Sequence, residues 1–164
     1  MTIAECIEKD IVDCPCGRLH HTSLKIVEIS AGASEKLPEV LEKLHYDRVF
    51  WIADENTWPV LGEKAVALMR KAGIQESGVV LPKDVHADEL GIGRVMMHID
   101  PSADVLLAIG SGTINDIAKF LSSRLFVSYI ILATAPSMDG FASSVAAMTT
   151  DQMKTTYEAH VPEA

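Results

Sequence analysis

The segment Ile109-Gly-Ser-Gly-Thr-Ile-Asn-Asp-Ile-Ala-Lys119 sets two glycines, Gly110 and Gly112, between an apolar run and a helical pattern. A helix beginning near Thr113 offers unpaired N–H groups and the positive end of its dipole. Gly112 has no Cβ to block a diphosphate, and Ser111 and Thr113 add hydroxyl donors, so geometry more than net charge could hold an anion. An ordinary tight βα turn uses the same residues, and both readings stay open on this pattern alone. Two familiar sites are excluded, because no Gly-Lys-Ser/Thr ending makes a P-loop and the third glycine of the usual dinucleotide fingerprint is missing. Asp116 complements the dipole in the first turn but would repel a phosphate, so a site here needs it turned toward backbone or a nicotinamide amide. Lys119, at i+3, is a partner for Asp116 or for a phosphate.

Three other stretches carry chemistry. Asp54 follows the run Val49 to Ala53; a carboxylate at a strand tip can accept both hydroxyls of an adenosine ribose, or can simply cap the next helix. Ala133 to Ser144 gathers Thr134, Ser137, Asp139, Ser143 and Ser144 around Pro136 and Gly140, which suits either substrate orientation or a bland βα loop. Cys14, Cys16, His20 and His21 lie close enough to suggest zinc, but lack the paired spacing of a structural zinc site; cysteines acting as small hydrophobes in a turn are the alternative.

Leu24 to Ile29, Val49 to Ala53, Val79 to Leu81, Val105 to Ile109 and Tyr129 to Ala133 are predicted strands. Helical patterns cover Ala33 to Leu44, Trp58 to Ala72 with Asn56 or Thr57 as cap, Ala87 to Met97 and Ile114 to Ser123. Such alternation predicts an α/β fold, a Rossmann-like parallel sheet flanked by helices, with ligands at the carboxyl ends of the strands. Gly140 to Met148 reads as a further helix, after which the chain is expected to trail off without another packed element.

The 164 residues suffice for one domain, 1–164. Fourteen basic against 23 acidic side chains give a net charge of -9, which argues against a nucleic-acid partner. No apolar run is long enough for a membrane span, the start is acidic rather than signal-like, and the three cysteines lack a disulfide framework's spread, so a cytoplasmic protein with reduced thiols is expected.

Taken together, GSGTINDIAK, TAPSMDGFASS, IADENT and CPCGRLHH resemble the bacterial, AraM-like sn-glycerol-1-phosphate dehydrogenases, in the superfamily of glycerol dehydrogenase, iron-containing alcohol dehydrogenases and dehydroquinate synthase. The resemblance implies the N-terminal domain of the dehydroquinate synthase-like fold and an NAD(P)-dependent enzyme interconverting dihydroxyacetone phosphate and sn-glycerol 1-phosphate. It places the dinucleotide on Asp54, Gly112, Thr113, Ile114, Asn115, Asp116, Lys119, Thr134, Ala135, Pro136, Ser137 and Ser143, and substrate on Asp139. The family's zinc or nickel ligands, one aspartate and two histidines, come from a helical second domain expected to be absent here, beyond residue 164. Leu125-Phe126-Val127-Ser128 departs from the family's Gly- and Pro-containing approach to the next strand. A lobe inactive alone is expected, with apolar surface that would favour homo-oligomers. A stand-alone nucleotide-binding module without catalysis, or a related polyol dehydrogenase or dehydroquinate synthase-like enzyme, are the other readings.

Overall fold

The computed structural model describes residue 7, residues 13–136 and residues 140–164. A 3₁₀ turn, Ala33–Lys36, runs into α1, Leu37–Lys43. Then come β1, Arg48–Asp54; a π-helical turn, Trp58–Gly62, continuing as α2, Glu63–Lys71; and β2, Gln75–Leu81. The second half holds α3, Glu89–Met96; β3, Val105–Gly110; α4, Gly112–Leu125; and β4, Ser128–Ala133. A 3₁₀ turn, Gly140–Ala142, precedes β5, Val145–Thr150, and β6, Met153–Glu158.

The first four strands form one parallel sheet in the order β2-β1-β3-β4. Alternation along the central strands divides the core in two, because successive side chains point to opposite faces. Val49, Trp51 and Ala53 of β1 join Val105, Leu107 and Ile109 of β3 under Leu37 and Leu41 of α1 and Ala65, Val66 and Met69 of α2. Phe50, Ile52, Leu106 and Ala108 face the other way, against Val95 of α3 and Ile114, Ile117, Ala118 and Leu121 of α4. A sheet covered on both faces calls for strands without polar alternation, and β3 is buried along its whole length.

Local signals set the helix ends. Asp88 caps α3 by accepting from the Gly91 N–H at 2.8 Å. Phe126, 89% exposed with φ 56°, takes the left-handed position after α4 that glycine usually fills, and the Val127 N–H returns to the Ser122 carbonyl. No helix among the described residues is long and apolar enough to cross a membrane.

Three expectations from sequence are corrected. Gly140 to Met148 is not a helix, and the chain does not trail off: Val145–Thr150 pairs antiparallel with Met153–Glu158. Asp151 and Gln152 both have positive φ, 51° and 63°, as a two-residue turn matched to strand twist requires. Ala146 and Met148 point inward, and a Phe120–Tyr157 edge-to-face contact seats the hairpin on α4. Leu24 to Ile29 forms no strand either. The Lys25 and Ile26 N–H groups both donate to the Glu163 carbonyl, and Val27 and Ile29 remain exposed. The chain end lies along the β4 edge, where the Glu163 N–H donates to Tyr129 O and the Ile131 N–H to Ala164 O.

Candidate functional site

The site follows from the strand order. The chain leaves β1 for β2 on one side and leaves β3 for β4 on the other, and α2 and α4 cover opposite faces. The carboxyl ends of β1 and β3 therefore open a crevice, the topological switch point where open α/β sheets bind ligands.

Buried hydrogen bonds fix the tips bounding it. Asp54 ends β1 and is 7% exposed; its Oδ1 accepts from the Asn56 and Thr57 N–H groups, each at 2.8 Å. Thr57, also buried, donates its hydroxyl to the Ile109 carbonyl at 2.9 Å, tying the β1 turn to the end of β3. The Thr134 N–H reaches the Gly110 carbonyl at 3.1 Å and brings the β4 loop to the same edge. Asp54 thus performs the turn-capping role that sequence left open, through one oxygen; Oδ2 has no hydrogen bond among the described residues.

At the tip of β3, α4 begins at Gly112, one residue earlier than predicted, with Ser111 in extended conformation as N-cap. The first intrahelical bond runs from the Asn115 N–H to Ser111 O, so the N–H groups of Gly112, Thr113 and Ile114 precede the helical ladder. The helix starts close to the sheet because Gly110 has no side chain: a Cβ there would lie 2.6 Å from Ile114 Cβ. Ile114 itself is buried in the second core cluster, so it can offer the crevice only backbone.

One turn in, Asn115 is fully buried, its Oδ1 has no hydrogen-bond partner among the described residues and its Nδ2 reaches Gly140 O at a long 3.5 Å. An unpaired buried carbonyl costs about 1–3 kcal/mol, which marks it as a group held for something else. Asp116 is half-buried beside the β5 backbone. Burial raises its carboxyl above the ordinary value, opposed by the Lys119 charge and a hydrogen bond from the Ala147 backbone.

Lys119 is fully buried, and its ammonium donates to the carbonyls of Gly140, at 2.7 Å, and Val145, at 3.2 Å. The side chain is therefore a clamp from α4 onto the loop after β4. Burial holds its ammonium below the ordinary lysine value, with Asp116 pulling the other way. That loop carries Ala135, half-buried, and Pro136, exposed. In Ser143 the hydroxyl accepts from the Val145 N–H at 3.2 Å. Ser137 and Asp139 lie outside the described residues.

The structure thus brings Asp54, Gly112 to Asp116 and Thr134 to one edge of the sheet, and ties Ser143 to it through Lys119. Reading the sequence missed two contributors. Thr57 was visible only as a cap, and its bond to a carbonyl 52 residues away has no local signature; the need for glycine at 110 depends on how closely α4 docks. A cavity of about 830 Å³ lies elsewhere, at the amino end of β4 between His21, Ser128, Tyr129 and His160. Among the described residues, the one group of His, Cys, Asp or Glu side chains placed to hold an ion is Cys14, Cys16 and His20. Among the described residues, the strand tips hold no such set.

Known proteins share this fold. The sequence profile of the iron-containing alcohol dehydrogenases matches residues 28–164. The glycerol-1-phosphate dehydrogenase [NAD(P)+] of Halalkalibacterium halodurans is 32% identical over 155 residues, 92% of this chain and 39% of the relative. That of Bacillus subtilis is 31% identical over 147 residues, 86% of this chain and 37% of the relative. The chain spans about two fifths of the length of the curated relatives it matches. Maleylacetate reductase from Rhizobium sp. strain MTP-10005 superimposes with a TM-score of 0.72 at 19% identity, over 87% of this chain and 40% of that one, which shows a common fold. With the switch-point crevice, the glycine-led helix and this profile in agreement, the chain belongs to the iron-containing alcohol dehydrogenase family.

Proposed function

We propose that residues 1–164 are the NAD(P)-binding lobe of a cytoplasmic sn-glycerol-1-phosphate dehydrogenase, interconverting dihydroxyacetone phosphate and sn-glycerol 1-phosphate in the longer proteins it resembles. The observation carrying this reading is the β1/β3 crevice, at whose edge α4 begins with N–H groups that precede its helical ladder and, one turn in, an Asn115 Oδ1 with no hydrogen bond among the described residues. Dehydrogenase relatives favour it over a non-catalytic nucleotide module.

In this assignment the pyrophosphate rests on the N–H groups of Gly112, Thr113 and Ile114, with Ser111 and Thr113 hydroxyls beside it. Asp54 offers Oδ2 to the adenosine ribose while Oδ1 keeps the turn closed. Thr134 to Ser137 and Ser143 border the nicotinamide side, and Asp139 orients substrate. The nicotinamide, when bound, supplies the hydride carrier. A zinc or nickel ion polarising the substrate oxygen would need ligands from outside this chain.

NADH fluorescence titration of the purified chain tests the assignment. Saturable binding is expected, weakened roughly tenfold by Asp54→Ala, with NADPH weaker than NADH because Asp54 repels a 2′-phosphate. Absence of saturable NADH binding, or tighter NADPH binding, overturns it. With dihydroxyacetone phosphate and zinc or nickel added, this chain is expected not to oxidise NADH.

Asn115→Leu separates ligand binding from stability. Removing an unpaired buried carbonyl is expected to leave denaturant stability within about 1 kcal/mol of the parent, or raise it. NADH affinity should nevertheless fall several-fold. Unchanged affinity would show that Asn115 Oδ1 serves no bound nucleotide.

A further inference from the structure

The geometry points to a zinc site in the N-terminal segment, made by the thiolates of Cys14 and Cys16 and the imidazole of His20, separate from the nucleotide crevice. The ligand atoms of all three side chains lie within 4.8 Å of one another, and Cys16 Sγ is 2.9 Å from His20 Nε2. Ligands of a tetrahedral zinc, bonded at about 2.0–2.3 Å, stand about 3.3–3.8 Å apart, so side-chain rotation alone can admit the ion.

The backbone between them favours this convergence. Gly17 N–H donates to Cys14 O at 2.9 Å, closing a turn with Pro15 at its second position and Gly17 at its fourth. Gly17 has φ 72°, and a Cβ there would meet nothing within 4 Å. Glycine is therefore set by backbone conformation and not by crowding, and that conformation turns the chain back so that His20 reaches Cys16. Cys14 is half-buried, while Cys16 and His20 are exposed, so an ion can enter and water can complete the fourth position.

Two thiolates and an imidazole select a borderline-soft divalent ion such as zinc over magnesium or calcium. Binding releases the thiol protons to solvent and neutralises two charges of the dication. The ion would pin the turn to the segment that continues through Lys25 and Ile26 to Glu163 at the sheet edge. Its role is a staple on the N-terminal segment, and it owes nothing to the reaction at the strand tips.

Titrating the reduced, metal-free chain with Co²⁺ and then Zn²⁺ tests the site. One Co²⁺ per chain is expected, with thiolate charge-transfer absorption and intense tetrahedral d–d bands, both removed by Zn²⁺. Cys14→Ser and Cys16→Ser should abolish the charge-transfer band, and His20→Ala should weaken binding by roughly tenfold or more. His86→Ala, outside the cluster, should leave it intact. Alkylation of the parent chain, read by mass spectrometry, avoids any folding defect of the variants: zinc should protect Cys14 and Cys16 from iodoacetamide. Absence of the charge-transfer band, its persistence in both Cys14→Ser and Cys16→Ser, or equal alkylation with and without zinc overturns the proposal.

Discussion

Gly110→Ala is expected to destabilise the protein by about 2–3 kcal/mol and to weaken NADH binding at least roughly tenfold. The added methyl would stand 2.6 Å from Ile114 Cβ and 2.7 Å from Ile114 Cγ1, inside any tolerable contact. Ile114 cannot yield cheaply, since it is fully buried and a β-branched side chain on a helix has one strongly preferred rotamer. The start of α4 must therefore lift from the sheet. That movement carries with it the N–H groups of Gly112, Thr113 and Ile114, which are the proposed anion donors.

A double-mutant cycle isolates the cause. Ile114→Gly alone should cost about 3–5 kcal/mol by opening a cavity and placing glycine in a helix, but Gly110→Ala/Ile114→Gly should cost less than the two single changes added, because Ile114→Gly removes the Cβ and Cγ atoms that the methyl added at position 110 would strike. Urea unfolding of the four proteins measures this, and strict additivity would rule out the proposed clash.

How much of this was legible beforehand varied with the range of the interaction. β1, β3 and β4 are apolar runs bounded by turn residues, so their existence and the parallel sheet could be read directly. The motifs at Asp54 and at Gly112 to Asp116 stood at strand tips, where the fold then placed them. β5 was misread because Val145-Ala-Ala-Met148 suits a helix as well as a strand, and its turn, Asp151-Gln152, lacks the Asn-Gly or Asp-Gly pair that signals a hairpin. Leu24 to Ile29 has strand composition, but among the described residues its backbone N–H groups at Lys25 and Ile26 share the single Glu163 carbonyl, and composition cannot report the length of a partner. Lys119 looked like a ligand for Asp116 or phosphate because its true acceptors, Gly140 O and Val145 O, lie 21 and 26 residues later in a loop whose path no local pattern specifies.

Substitutions of that lysine should separate its three contributions. Lys119→Ala removes a buried four-carbon stem and both charge-assisted hydrogen bonds, and is expected to cost about 3–5 kcal/mol. Lys119→Met keeps most of the stem and relieves the desolvation of an ammonium, so stability near pH 7 should stay within about 1 kcal/mol of the parent. Both changes free the loop holding Ser143, and both should weaken NADH binding; an affinity loss in Lys119→Ala alone would mean that packing, and not the clamp, organises the loop. The pH dependence supplies a further check. Burial lowers the folded-state pKa of Lys119 below its unfolded value, so over the interval between them the unfolded chain binds more protons than the folded one. The cost of burying the charge is fully present below the folded pKa and is relieved as pH rises toward the unfolded value of about 10.4. Lys119→Met has no such term, and the parent should therefore gain stability relative to it between pH 7 and pH 10 in paired urea melts. A difference that is flat, or that moves toward the methionine variant, would show that the ammonium is not held in a desolvated state.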